Sequence, residues 1–256
     1  MAAERRLIDI HSHVLPGIDD GAADVAAALE LAERAAAGGV GVLAATPHVR
    51  PDHPGVRPAE LAERCRALNT HLAQAGIPLE VVQGGELDLD WATAASHEEL
   101  GLVSYGGRGS DLLVETPYGS LPSDFEDRLL ALTARGFRIV LAHPERSPEL
   151  QDHPTRVAEL VAGGILIQLT ARSLIPQDSS SAARKLSTTL VAEGLAHVLA
   201  SDAHGATDPA PPDLSAGVAA ASAIDGRHAH WMAAEAPAAI LAGRPLPPRP
   251  GLEPSA

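Results

Sequence analysis

Apolar residues gather in seven short runs, at residues 7–10, 40–45, 79–82, 112–114, 139–142, 165–169 and 197–200. Each has the length of a strand. Their near-continuous apolar character, rather than an alternating one, marks strands buried on both faces, as in a parallel sheet. Helical periods fill the intervals. An alanine-rich stretch after Asp24 runs to Gly38, residues 58–74 read as a helix, Pro154 opens a helix that ends at Gly163, and the face Leu129, Leu130, Leu132 stops at Gly136. Ahead of that last face, Ser123 and Glu126 stand at capping-box spacing.

Strands alternating with helices define an α/β fold. The tail from Gly205 breaks the rhythm: Pro209, Pro211 and Pro212 make a rigid loop, a helix covers 228–241, and 245–250 holds too many prolines for a helix or a central strand. The expectation is one domain over 1–244 and a loose extended arm over 245–256, without internal repeat or linker.

At 256 residues the chain has the size of one barrel domain, and with aromatics at 2% the core falls to Leu, Val, Ile and Ala. The formal charge is −14, and among 19 cations Lys185 is the one lysine, with no basic block, which argues against a nucleic-acid groove. The single cysteine, Cys65, makes no internal disulfide and reads as packing within a helix rather than as a nucleophile. Residues 1–6 run straight into the first apolar run, which reads as no signal peptide. No stretch approaches the roughly 20 apolar residues of a membrane span. The expected location is the cytoplasm.

The chemistry collects where the strands end. His11, His13 and Asp20 follow the first run, His48 the second, Glu86 the third, Glu115 the fourth, His143 the fifth, and Asp202 with His204 the seventh. Residues i and i+2 of a strand share a side, so His11 with His13, and Asp202 with His204, each aim two ligands at one point. Pairs from opposite ends of the chain meet only if the sheet closes into a barrel, and barrels place their chemistry at the C-terminal ends of the strands. Five imidazoles and four carboxylates without a thiolate suit Mn, Fe, Zn or Co, and nine donors exceed what one ion holds, so two or three ions are implied. Arg146 and Arg50 lie close behind His143 and His48, placed to bind phosphate in bidentate fashion. Tyr118 reads either as a pocket wall for an aromatic substrate or as loop packing, and His53 sits in a loop near the rim. Many amidohydrolases, which also open with His-x-His, bridge two metals with a lysine after strand 4, where this chain has Glu115.

The blocks Ile8-Asp9-Ile10-His11-Ser12-His13, Ile18-Asp19-Asp20-Gly21, Thr46-Pro47-His48, Gly84-Gly85-Glu86-Leu87, Ala142-His143-Pro144-Glu145-Arg146 and Ser201-Asp202-Ala203-His204 resemble the PHP (polymerase and histidinol phosphatase) superfamily. Within it they are most similar to the capsular-polysaccharide tyrosine phosphatases of the CpsB/CapC type. The resemblance implies a distorted seven-stranded (β/α) TIM-like barrel with a trinuclear, usually Mn-loaded site. By it, His11, His13, Glu86 and Asp202 share one ion, Glu86, Glu115 and His143 a second, and Asp20, His48 and His204 a third.

The activity so implied is hydrolysis of a phosphomonoester by metal-bound hydroxide, with a phosphotyrosine protein, a tyrosine autokinase of polysaccharide export, as the substrate. The alternative is a small phosphate ester such as histidinol phosphate; a PHP nuclease or a non-catalytic metal-binding regulatory module are weaker readings. Arg146 is the catalytic arginine, with Asp20 or His204 assisting as acid. Two departures from the family pattern stand out: no Arg follows the final Asp-x-His within 205–214, and Thr170-Ala171-Arg172 replaces the usual Asn and small residues. Arg172 is the expected substitute for the missing phosphate-binding cation.

Overall fold

The computed structural model describes residues 6–176, 181–207 and 211–250. Among these residues there are nine strands: β1 (Leu7–Asp9), β2 (Val40–Ala45), β3 (His48–Val49), β4 (Glu80–Gln83), β5 (Glu86–Leu87), β6 (Asp111–Glu115), β7 (Arg138–Ala142), β8 (Leu166–Thr170) and β9 (Val198–Ala200). Every apolar run is a strand. The second and third runs restart after two-residue breaks, at Thr46-Pro47 and Gly84-Gly85, because Pro47 has no amide hydrogen to offer a ladder and paired glycines weaken one.

All pairings are parallel, in the orders β1-β2-β4 and β3-β5-β6-β7-β8-β9. Since β2 and β3 form one stave, and β4 and β5 another, the two sheets are parts of one barrel. A parallel bridge between Ser12 and Ala203 closes it, with Asp202 N donating to His11 O (2.9 Å) and His13 N to Ala203 O (2.8 Å). The expected distorted seven-stranded barrel is therefore present, and its closure brings the first and last ligand pairs side by side.

Strands that look continuously apolar still sort by a period of two. Ile10, Ala44, Leu113, Val140, Ala142, Leu166, Val198 and Ala200 cluster with Tyr105, while their neighbours Leu43, Leu112, Val114, Ile139, Leu141, Ile167 and Leu199 join the larger cluster under the helices. Four of the six aromatics serve the core: Tyr105, Phe125, Phe137 and Trp231 are buried, and Tyr105 donates its hydroxyl to Ile10 O at 2.8 Å.

Helix Val25–Ala37 starts at Asp24, whose carboxylate accepts from Ala27 N, and ends at Gly38; helix Thr155–Ala162 lies between Pro154 and Gly163 as expected. The capping box does not form at Ser123. Helix Phe125–Ala134 starts one residue later, with Asp124 at its N-cap and no side-chain cap, so Ser123 and Glu126 fall out of register, and Glu126 accepts from Arg156 Nε at 2.7 Å. The box occurs instead at Ser96 and Glu99, heading helix His97–Val103. Helix Leu214–Asp225 is absent from the sequence-based expectation. Its buried face is Leu214, Gly217 and Ala221, and after Leu214 these are small residues that carry little hydrophobic signal. They permit close approach: a Cβ at Gly217 would lie 2.5 Å from that of Ala171.

The tail helix is realised as a π-helical turn Trp231–Glu235 running into helix Ala236–Leu241, a widening that accommodates Pro237, which has no amide hydrogen. Residues of the tail up to 250 are tied to the rest of the fold. Leu246 packs on the core, Trp231 Nε1 donates to Pro247 O (3.3 Å), and the Arg249 guanidinium lies 5.1 Å over the Trp231 ring. Pro209 and residues 1–5 and 251–256 lie outside the described residues.

Candidate metal centre

Closure of the barrel gathers all nine candidate donors on one rim. Glu86, 1% exposed at the start of β5, is the centre: its Oε2 lies 3.0 Å from His48 Nδ1, 3.4 Å from His11 Nε2 and 3.5 Å from His13 Nε2, and its Oε1 lies 2.8 Å from His143 Nε2. Asp202 Oδ1 faces His11 Nε2 (3.1 Å) and His13 Nε2 (3.3 Å). At the mouth, the 52% exposed Asp20 side chain sets Oδ1 3.5 Å from both His48 Nε2 and His204 Nε2.

Among the described residues four groups have donor atoms within 4.8 Å of one another: His13, Asp20, His48 and His204; His11, Glu86 and His143; His11, His13 and Asp202; and His48, Glu86 and Glu115. Asp20, His48 and His204 thus come together as expected. Glu115 groups with His48 and Glu86 rather than with His143.

The residues fit divalent cations, and the reason lies in what is left unpaired. His11 Nε2, His13 Nε2, His48 Nδ1, His143 Nδ1 and Glu86 Oε2 are buried without a hydrogen-bond partner. Buried polar atoms without partners are costly, and four of these converge on one point. Their ring orientations are fixed from behind. His11 Nδ1 donates to Gln168 Oε1 (2.8 Å), His13 Nδ1 to Asp19 Oδ2 (2.8 Å) and His204 Nδ1 to Asp202 O (3.0 Å), which leaves each Nε2 lone pair facing the cluster.

Backbone strain supports the same reading. His143 (φ 37°) and Asp202 (φ 55°) are the non-glycine residues with positive φ among the described residues, and both are candidate ligands. Gly21 is required for a different reason: a Cβ there would meet His13 O at 2.0 Å, so only glycine lets the Asp19-Asp20 loop close over His13.

Electrostatics show how much positive charge the rim asks for. Burial opposes charge on both imidazoles, but Asp202 and Glu86 lift His11 to about 9, and Asp19, with Asp202 and Glu86, holds His13 well above the usual imidazole range. Burial would raise Glu86 and Asp202, yet facing imidazoles, with Arg146 beside Asp202, hold both well below the ordinary carboxylate range. Glu115 rises through burial and the neighbouring Glu86. Below about pH 9 protons on His11 compete with a cation for the same atoms. Mn binding at pH 7 is therefore expected to release at least one proton and to tighten as pH rises; calorimetry in buffers of different ionisation enthalpy measures this, and binding without proton release contradicts it.

The arginines are distributed unevenly. Arg146 Nη1 lies 2.6 Å from Asp202 Oδ2 and donates to the Tyr118 hydroxyl at 3.1 Å. Arg50 reaches Glu115 Oε2 (3.3 Å), Asp52 (2.9 Å) and His53 Nε2 (3.3 Å), and the His53 ring stacks on His48 at 5.3 Å. Arg172 sits in helix Ala171–Leu174 with Nη1 3.8 Å from the Asp213 carboxylate.

Supporting residues escaped the sequence reading. Asp19 carries His13 and accepts from His48 N (3.2 Å) and Gly21 N (3.1 Å). Burial opposes its charge, but the His13 bond holds it down at about 2. Asp9, pushed up to about 6 by burial, accepts from Ser201 N (3.0 Å) and ties the barrel seam. Gln168 betrays itself as the one polar residue in the run 165–169. Asp19→Asn is expected to weaken Mn affinity by about 10- to 100-fold while leaving the fold intact, which a Mn titration measures.

The family described as capsular polysaccharide synthesis, CpsB/CapC, matches residues 7–241. The chain is 34% identical over 198 residues to the tyrosine-protein phosphatase YwqE of Bacillus subtilis, covering 77% of each chain. It is 30% identical to the putative tyrosine-protein phosphatase CapC of Staphylococcus aureus, covering 79% of this chain and 78% of that one. A crystal-structure study of YwqE from Bacillus subtilis and CpsB from Streptococcus pneumoniae, presented as unique metal-dependent tyrosine phosphatases, contains a chain that superposes with a TM-score of 0.82 at 30% identity, covering 94% of this chain and 96% of that one. A parallel barrel with a histidine- and carboxylate-lined rim is the architecture of a metallohydrolase. The chain belongs to the CpsB/CapC family of capsular polysaccharide synthesis.

Proposed function

We propose that the chain is a metal-dependent protein-tyrosine phosphatase of capsular or exopolysaccharide synthesis, acting in the cytoplasm on a phosphorylated tyrosine kinase of polysaccharide export. The observation that carries this reading is the convergence of buried, unpartnered imidazole and carboxylate atoms on one rim, in a chain whose relatives are named tyrosine phosphatases. His11, His13, Asp20, His48, Glu86, Glu115, His143, Asp202 and His204 hold two or three divalent ions, Mn foremost, with Fe, Zn or Co as other candidates for such a donor set. When bound, the ions supply a water ionised near neutral pH and positive charge for phosphoryl oxygens.

The remaining work falls to the chain. Arg146, already aimed at the donors through Asp202, grips the phosphoryl group with its planar fork, and Arg50 approaches from the Glu115 side. Water attacks phosphorus, the bond from phosphorus to the phenolic oxygen breaks, and the electron pair leaves on that oxygen. A phenol ionises near pH 10, so the leaving group needs little protonation. Asp20 or His204, whichever the ions leave unliganded at the open mouth, returns a proton to it.

The test is phosphate release, with and without Mn, from a phosphotyrosine peptide, a phosphoserine peptide and histidinol phosphate. Mn-dependent preference for phosphotyrosine is the expected result. Preference for histidinol phosphate keeps the metal chemistry and overturns the protein substrate.

A further inference from the structure

We propose that Tyr118 sets substrate specificity: its ring is the wall on which the phenyl group of an aryl phosphate stacks. The inference rests on the phosphatase reading above and names the part of the site that recognises the ester's organic half. Tyr118 is 59% exposed, the highest value among the large hydrophobic residues with exposed surface. Of the other five aromatics, Tyr105, Phe125, Phe137 and Trp231 are buried, and Trp91 packs partly buried against the core.

Exposure alone carries little meaning for a single side chain. The placement carries more. The Tyr118 ring lies 5.8 Å from that of His143 and only 28° from parallel to it, and its hydroxyl accepts from Arg146 Nη1. It thus touches both a candidate ligand and the candidate phosphate-binding arginine. Its loop is fixed at both ends: Thr116 Oγ1 donates to Ala142 O at 2.5 Å, and Leu121 N donates to Glu149 Oε2 at 3.0 Å. The ring is held at the rim by structure, with one face committed to the site and the rest open to an incoming group.

In an aryl phosphate a single oxygen joins the ring to phosphorus. A phosphoryl group held by Arg146 therefore leaves the substrate ring within reach of the side chain that Arg146 itself touches. Aromatic rings gain from offset or edge contact beyond simple burial, whereas an alkyl ester presents no ring to pair.

The test removes the leaving group from the problem. Binding of phenylphosphonate and methylphosphonate to the Mn-loaded protein is measured by calorimetry for wild type, Tyr118→Ala and Tyr118→Phe, alongside phenyl phosphate hydrolysis by wild type. Wild type is expected to bind phenylphosphonate about tenfold more tightly than methylphosphonate. Tyr118→Phe, which keeps the ring and loses only the hydroxyl, retains the ratio, and Tyr118→Ala brings it close to unity. A ratio that survives in Tyr118→Ala overturns the ring's role, as does an equal loss for both phosphonates. A wild-type protein that neither binds the phosphonates nor hydrolyses phenyl phosphate overturns the phosphatase reading itself, a separate result.

Discussion

Glu86→Gln is expected to lower turnover by about a thousandfold or more and to strip the protein of Mn, while the barrel remains folded. The reasoning starts from position. Gly84-Gly85 interrupts the third stave, and β5 restarts with Glu86 facing inward, where its carboxylate meets His11, His13, His48 and His143. It belongs to two of the four donor groups, as do His11, His13 and His48, and its one carboxylate meets all three of those imidazoles. Gln keeps the shape and removes the charge, leaving imidazoles and cations facing a neutral amide. The circular dichroism spectrum should be unchanged, because β5 is two residues long and its backbone pairs with β3 and β6 are independent of the side chain. Metal analysis and kcat on the same preparation check the result. A Glu86→Gln protein with full Mn content and full activity removes Glu86 from the site.

Arg146→Ala is expected to lower kcat/KM for phosphotyrosine by about 10²- to 10³-fold with Mn content retained, the scale on which a preorganised donor to a phosphoryl oxygen contributes. Arg146 sits in the turn Pro144–Arg146, directly behind His143, whose positive φ bends the chain so that ligand and arginine face the same rim. Burial opposes its charge, but Asp202 and Glu145 raise its pKa, so it stays cationic throughout the accessible pH range. Arg146→Lys keeps the charge but lacks the fork, and should recover only part of the loss. Steady-state kinetics on both variants, with metal content measured in parallel, separate loss of phosphate binding from loss of metal. An Arg146→Ala enzyme with unchanged kcat/KM assigns the arginine a structural role only.

Most of the barrel was legible because strands buried on both faces write themselves as unbroken apolar runs. The cluster of candidate ligands was legible because its residues stand immediately after those runs. Less visible were the features whose cause lies in tertiary contact. Asp19 neighbours Asp20 in sequence, and only the fold shows that it stands behind His13 while Asp20 faces the mouth. Ser123 with Glu126 and Ser96 with Glu99 share one spacing; the first helix starts at Asp124, which leaves Glu126 to Arg156, whereas the second starts at Ser96 and closes the box. Helix Leu214–Asp225 hides because its buried face is mostly glycine and alanine, chosen for proximity to Ala171 rather than for apolar area. Arg172, expected to replace a missing cation, has its nearest acidic contact among the described residues at Asp213 rather than at a candidate ligand.

The central claim is that these nine side chains hold divalent ions, and anomalous diffraction at the Mn absorption edge from crystals grown with Mn tests it most directly. Two or three peaks are expected among His11, His13, Asp20, His48, Glu86, Glu115, His143, Asp202 and His204, with Glu86 bordering more than one. Crystals that show no peak within that rim, or a single peak elsewhere on the protein, contradict it.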